Sequence, residues 1–154
     1  MVLLVLGVTG PIAAGKGELT ELAKSHGFVC FSLGNEAREE TTKRGLSLTR
    51  ENIRATAKEV QAEFGRTIWA TRVVEKIRSR GEGNFLVEGF RVPIEVELFK
   101  KEFSEQFKLV AVTASFETRF SRASSRNREG EPLTLEAFRN LDNCERGVQP
   151  CSGY

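Results

Sequence analysis

The segment Gly10-Pro11-Ile12-Ala13-Ala14-Gly15-Lys16-Gly17 has the spacing G-x-x-x-x-G-K. Those residue types in that order suit one task, the holding of a polyphosphate. Glycines let the backbone fold tightly, so that successive N–H groups face an anion. A helix opening at Gly15 adds unsatisfied amides and the positive end of its dipole. Lys16 supplies a full charge to the β- and γ-phosphates of ATP or a similar triphosphate. The residues expected around such a donor are Gly10, Ala13, Ala14, Gly15, Lys16, Gly17 and Glu18. Gly17 stands where many such loops place a Ser or Thr hydroxyl on Mg²⁺, and Glu18 cannot serve in the same way. The alternative reading is a glycine-rich turn that binds nothing.

Two further groups could share this chemistry. Phe85-Leu86-Val87-Glu88 is an apolar run ending in a carboxylate, followed by Gly89-Phe90-Arg91. Ligands of a parallel sheet collect at the carboxyl ends of its strands, so Glu88 is expected near the loop, holding Mg²⁺ directly or through a water. A surface Glu that merely ends a strand is the plainer reading. Arg119, Arg122 and Arg126 are spaced three and four apart, hence on one helical face, and Arg128 follows in the polar stretch 127–132. Such a run usually makes a solvated face. Near a transferring phosphoryl group, arginines can instead neutralise spreading charge, which makes Arg122, Arg126 and Arg128, with Lys16, the candidate catalytic residues. No aromatic interleaving supports a nucleic-acid surface.

The elements that must position these residues follow from hydrophobic periodicity. Val2–Val8 is a continuous apolar run, expected as a central parallel strand buried on both faces. Helical spacing then runs over Gly15–His26, closed by Gly27. Further strands are expected at Phe28–Ser32, Phe85–Glu88 and Lys108–Thr113, with a turn at Gly81–Asn84. Helices are expected at about Gly34–Arg44, Thr49–Phe64, Arg66–Arg80, Pro93–Phe103, Phe116–Arg126 and Leu133–Arg146. Thr49 with Glu51 and Asn52 is an N-terminal cap signal. Alternating strands and helices imply an α/β three-layer sandwich with a parallel sheet.

Composition sets limits on this reading. The 154 residues suit one domain, 1–154, and no repeat or linker suggests another. A net charge of +2 supplies no global field toward nucleic acid or membrane, so any anion site is local. No apolar run approaches the roughly 20 residues of a membrane helix, and no signal peptide is evident. Cys30, Cys144 and Cys151 lack C-x-x-C spacing, which fits a reduced, cytoplasmic setting and argues against a metal cluster. His26, the single histidine, reads as structural.

Four segments together resemble the nucleoside monophosphate kinases, adenylate kinase in particular. They are more similar still to the small archaeal-type adenylate-kinase-like, or dephospho-CoA-kinase-like, proteins. The first is Gly10–Glu18, since that family also carries Gly after the loop lysine. The resemblance implies Mg²⁺ held largely through waters and Glu88. The second, Ser32-Leu-Gly-Asn-Glu-Ala-Arg38, is similar to S-x-G-D-x-x-R and implies that Ser32, Gly34 and Arg38 lie at the acceptor phosphate. The third, Glu88-Gly-Phe-Arg91, is similar to D-G-x-R and implies that Gly89 and Arg91 do so too. The fourth, Arg119–Arg128, stands in the place of a lid, here about 119–133, with an acceptor-covering helical insertion at about 34–80.

Ala13 replaces the usual Gly, Asn35 the usual Asp, Glu88 the usual Asp, and Leu141-Asp142 the usual Arg-Asp, so that one lid-side arginine is either absent or replaced by Arg139. Nothing apolar enough for a further strand follows Arg146, so the sheet is expected to have four or five strands, by truncation or by a looser base site. The activity implied is ATP-dependent phosphorylation of a nucleoside monophosphate. The alternatives are transfer to a nucleotide sugar hydroxyl and a nucleotide-binding regulator with little turnover. The expected partners are small nucleotides, with no membrane or nucleic acid, and the oligomeric state is left open.

Lys16→Ala is expected to weaken triphosphate binding at least about tenfold while changing monophosphate binding little, because a lost charged hydrogen bond is worth about 1.5–3 kcal/mol. Titration calorimetry with both ligands checks it, and equal loss for the two would place Lys16 elsewhere.

Overall fold

The computed structural model describes residues 2–126 and 134–145. Along the chain run β1 (Val2–Thr9), α1 (Lys16–Ser25), β2 (Val29–Ser32), α2 (Leu33–Lys43), α3 (Arg50–Phe64), α4 (Ile68–Arg80), β3 (Gly83–Glu88) and α5 (Pro93–Phe103). A 3-10 turn at Ser104–Gln106 leads to β4 (Phe107–Ala111), then α6 (Phe116–Arg126) and α7 (Leu135–Glu145). The strands form one sheet in the order β2-β3-β1-β4, with β1 and β2 each parallel to β3. This is the expected α/β fold with a parallel sheet, here of four strands among the described residues.

Most element boundaries match the periodicity. The α4 helix starts at Ile68, two residues after the expected Arg66, and two strands differ for a local reason. Gly83 and Asn84, expected in a turn, already pair with β1 at the start of β3, because Gly83 at φ +114° turns the chain straight into the ladder. The last strand begins at Phe107, whose ring is buried in the core, and ends at Ala111, so Val112 and Thr113 lie outside it. Val112 N still donates to Thr9 O at 2.9 Å, so backbone pairing continues one residue past the strand. The expected loop 127–132, the ends of the last helix at Leu133 and Arg146, and Arg128 lie outside the described residues.

The chain forms two compact units, interleaved in sequence. One comprises the described residues of Met1–Val8 and Thr20–Val110, and holds the sheet with α2 to α5. Its core joins Val5, Phe85, Val87 and Phe107 of the strands to Leu33 and Ala37 of α2, Val60 of α3, Trp69, Val73 and Ile77 of α4, and Phe99 and Phe103 of α5. Phe99 meets Phe90 edge-on at 5.2 Å and Phe107 at 5.6 Å. Ion pairs lace α2 to its neighbours. The buried Glu36 and the exposed Glu39 accept from Lys76 at 2.6 and 3.0 Å, and Glu40 accepts from Arg72 at 2.8 Å and Arg44 at 3.2 Å. The Arg72 guanidinium thereby holds the Glu40 carboxyl below its ordinary range.

The other unit comprises the described residues of Thr9–Leu19 and Ala111–Tyr154. Its smaller core packs Ala13, Ala123 and Phe138 with Ile12, Phe116 and Phe120. No helix among the described residues is long and apolar enough to cross a membrane.

Helix caps place the connecting loops. Thr49 Oγ1 accepts from Asn52 N at 3.1 Å and starts α3, as its sequence suggests. At α5, Pro93 occupies the first turn and the buried Glu95 carboxylate accepts from Arg91 N at 2.8 Å and Val92 N at 3.2 Å. Glu95→Ala leaves two inward amides without a charged acceptor, and a stability loss of about 2–3 kcal/mol is expected. Glu95→Gln, which keeps one carbonyl acceptor, is expected to lose clearly less; denaturant midpoints compare the two.

Candidate functional site

The phosphate loop is built from three positive-φ residues, Gly10 at +147°, Ala13 at +58° and Gly15 at +108°. Only glycine fits at position 10, where a Cβ would lie 2.2 Å from the Val112 carbonyl oxygen. Ala13 adopts the left-handed conformation although it is not glycine, at a cost of about 1–2 kcal/mol. Its methyl lies in the core with Ala123 and Phe138, and burial of one methyl returns about 0.8 kcal/mol. Packing therefore offsets much of the strain, which is why Ala is tolerated where the resemblance leads one to expect Gly.

The loop carbonyls are held by cations. Lys16 Nζ donates to Gly10 O at 2.6 Å and to Pro11 O at 2.8 Å. Arg119 Nη1 donates to Ile12 O at 3.4 Å, and Arg122 Nη1 donates to Ala14 O at 3.0 Å. The amides of Ala13, Gly15 and Gly17 make no hydrogen bond to another backbone carbonyl among the described residues. Donors left unpaired at the start of α1, in a turn of this handedness, form a ready anion site. Glu18 and Gly17 are exposed, and nothing lies within 4 Å of a Cβ built on Gly17.

The arginines of α6 do not share one environment, contrary to the even face suggested by their spacing. Arg119 is 4% exposed and forms a two-point pair with Asp142, at 2.6 and 2.9 Å, while its Nε donates to Ala114 O at 3.2 Å. Its guanidinium lies 5.7 Å from the Phe116 ring and 5.9 Å from that of Phe138. The hydrogen bonds it donates to Asp142 raise its affinity for the proton, so it stays charged in spite of burial. Arg122 and Arg126 are exposed. Arg139 lies over Phe116 at 5.2 Å. The sequence marks Asp142 only within the pair Leu141-Asp142, and no local pattern joins it to a residue 23 positions away.

In the unit that holds the sheet, register gathers the second set. Glu88 pairs with Val8 on one side and Ser32 on the other, so the carboxyl ends of β1, β3 and β2 align. The chain leaves β1 toward β2 and leaves β3 toward β4, in opposite directions along the sheet order, which is where ligands of such sheets bind. Thr20 Oγ1 donates to Glu88 Oε2 at 3.4 Å. Ser32 ends β2 and α2 begins at the next residue. Gly89, at φ +91°, lies against that helix start, where a Cβ would come within 3.3 Å of Leu33 N and 3.4 Å of Gly34 N. Asn35 Oδ1 accepts from Arg38 Nη1 at 2.8 Å. Arg38 and Arg91 are exposed, and the Glu95 cap holds the Arg91 backbone. Cys30, the neighbour of this set on β2, is half-buried, and burial pushes its thiol above the ordinary range.

A family model described as an AAA domain matches residues 9–139. A UPF0200 protein of Methanothermobacter thermautotrophicus is 37% identical over 147 residues, covering 96% of this chain and 74% of that one. Among solved structures, a gluconokinase from Sinorhizobium meliloti superposes with a TM-score of 0.54 at 14% identity, covering 90% of this chain and 73% of that one. A shikimate kinase from Aquifex aeolicus does so with a TM-score of 0.51 at 17% identity, covering 94% and 81%. At such identities the structural likeness speaks to the fold alone.

Two glycines of the loop separate steric need from openness. Gly10→Ala drives a methyl into a backbone carbonyl and is expected to lose about 3 kcal/mol of stability. Gly17→Ser is expected to stay within about 0.5 kcal/mol of the parent. Thermal and denaturant unfolding check both, and a tolerated Gly10→Ala would mean that the loop is not held as described.

Proposed function

This chain belongs to the UPF0200 family and carries an AAA domain with the P-loop kinase fold, and from that premise we propose that it transfers the γ-phosphoryl group of ATP to a nucleoside monophosphate. The observation that carries this reading is the loop Gly10–Lys16, with its carbonyls tied to cations and amides left for an anion.

In the proposed reaction an oxygen of the acceptor phosphate forms a bond to the γ-phosphorus. The bond from that phosphorus to the β–γ bridging oxygen breaks, and ADP leaves with the electron pair. No covalent enzyme intermediate is needed; positioning and charge neutralisation supply the acceleration. Lys16 exchanges the Gly10 and Pro11 carbonyls for the donor phosphates, a stronger charged partner. Amides of Ala13, Gly15 and Gly17 and the start of α1 hold the donor, with Ala14, whose amide is tied to Pro11 O at 3.3 Å, and Glu18 beside them. Arg38, Arg91 and the helix start at Ser32 and Gly34, reached closely because residue 89 is Gly, hold the acceptor phosphate. Glu88 is a hard oxygen donor of the kind Mg²⁺ takes, and an ion held there would neutralise phosphate charge. Arg122 and Arg126 stabilise the spreading charge. Arg128, outside the described residues, joins them on its place in the sequence.

The test is a coupled assay with Mg-ATP and a panel of nucleoside monophosphates and dephospho-CoA. A phosphorylated monophosphate is expected, and Arg38→Ala is expected to raise the acceptor KM about tenfold, as for a lost charged contact. Transfer to dephospho-CoA alone would move the acceptor to a sugar hydroxyl. Transfer to none, with ATP bound, would overturn both kinase readings and leave a nucleotide-binding regulator.

A further inference from the structure

Ala13 is the strained residue of the phosphate loop, and the peptide carbonyls on either side of it end on arginines. Ile12 O accepts from Arg119 and Ala14 O from Arg122. The two arginines differ in freedom. Arg122 is exposed and can leave its carbonyl for a phosphate. Arg119 is buried, forked onto Asp142, tied to Ala114 O and flanked by two phenylalanine rings, so it stays in place. Lys16 is likewise needed at the phosphates once a donor binds. Of the four carbonyl clamps on the loop, the one made by Arg119 is itself held by a second element, through Asp142 of α7.

We infer that Arg119 and Asp142 are positioning residues of the phosphate loop. Asp142 orients the guanidinium, and the guanidinium holds the Ile12 carbonyl so that the strained turn at Ala13 persists while Lys16 and Arg122 change partners. This rests on the phosphate-binding part of the proposed function and makes triphosphate affinity depend on Asp142 of α7, a residue to which that reading gives no contact with the ligand.

A buried ion pair replaced by apolar side chains of similar volume is often neutral or stabilising, whereas removal of one partner strands a charge. The double variant Arg119→Met with Asp142→Leu therefore separates positioning from folding. The probes are inorganic tripolyphosphate, which reads the loop without base or acceptor, and Mg-ATP, both by titration calorimetry beside a denaturation midpoint. The expected result is a midpoint at or above the parent with affinity for both probes reduced about tenfold, the weight of one charged contact. Addition of Ala13→Gly to that variant relieves the left-handed strain and is expected to restore part of the affinity. Parent-like affinity in the double variant overturns the inference and leaves the pair a structural one. If the double variant does not fold, Arg119→Lys keeps the charge on Asp142 but loses the fork. A several-fold weaker tripolyphosphate affinity then supports the inference and an unchanged one overturns it. A parent that binds neither probe overturns both this inference and the phosphate reading. A parent that binds tripolyphosphate but phosphorylates no acceptor overturns the kinase reading alone.

Discussion

A backbone that offers its amides to an anion must put its carbonyls somewhere else, and that constraint governs the phosphate-loop unit. Each peptide carries both groups on opposite edges. An unheld carbonyl that swung toward a phosphate would repel it. Gly10, Pro11, Ile12 and Ala14 each have their carbonyl on a Lys or Arg nitrogen. Hydrogen bonds to charged donors contribute about 1.5–3 kcal/mol apiece, against about 1–2 kcal/mol for the left-handed turn at Ala13. The cations prevail, and the loop holds a shape that an isolated peptide would not keep. The rest of that unit serves this end: α6 brings the arginines, α7 brings the carboxylate, and Phe116, Phe120 and Phe138 close the small core beneath them.

The sheet imposes a different constraint on the other unit. Parallel strands in register put their carboxyl ends level, and so Val8, Glu88 and Ser32 align without any loop deciding it. Because α2 follows β2 with no intervening residue, its unsatisfied amides lie at that same end. Gly89 is then required, since a Cβ would crowd Leu33 N and Gly34 N. Glu95 completes the arrangement from below, binding the Arg91 and Val92 amides while it starts α5. Polar order at the strand ends is thus a consequence of register and capping, made secure by the Phe90, Phe99 and Phe107 cluster.

Much of this was legible in the residues. The apolar run Val2–Val8, the motif that follows it, Thr49 as a cap and Pro93 as a helix opener all act through neighbours in sequence, so local pattern suffices to read them. The strand starts at 83 and 107 depart from the periodicity because a ladder partner and a buried ring, Phe107, decide them. Arg119 looked like its neighbours Arg122 and Arg126 because periodicity records spacing and not depth. Only the packing of α7 made it a buried anchor rather than a surface charge.

The sequence by itself determined the P-loop pattern of residues 10–18, the alternation of strands and helices, and the placing of Glu88 at a strand end and Arg91 just before a helix start. Glycine, lysine and a short apolar strand impose these things locally, whatever lies elsewhere in the chain. Tertiary structure decided how the loop is kept in its strained form. Ile12 and Arg119 are 107 residues apart, and Arg119 and Asp142 are 23 apart. A charge is stable in that core only when its partner arrives from another helix, and no span of sequence short enough to read as a motif contains both.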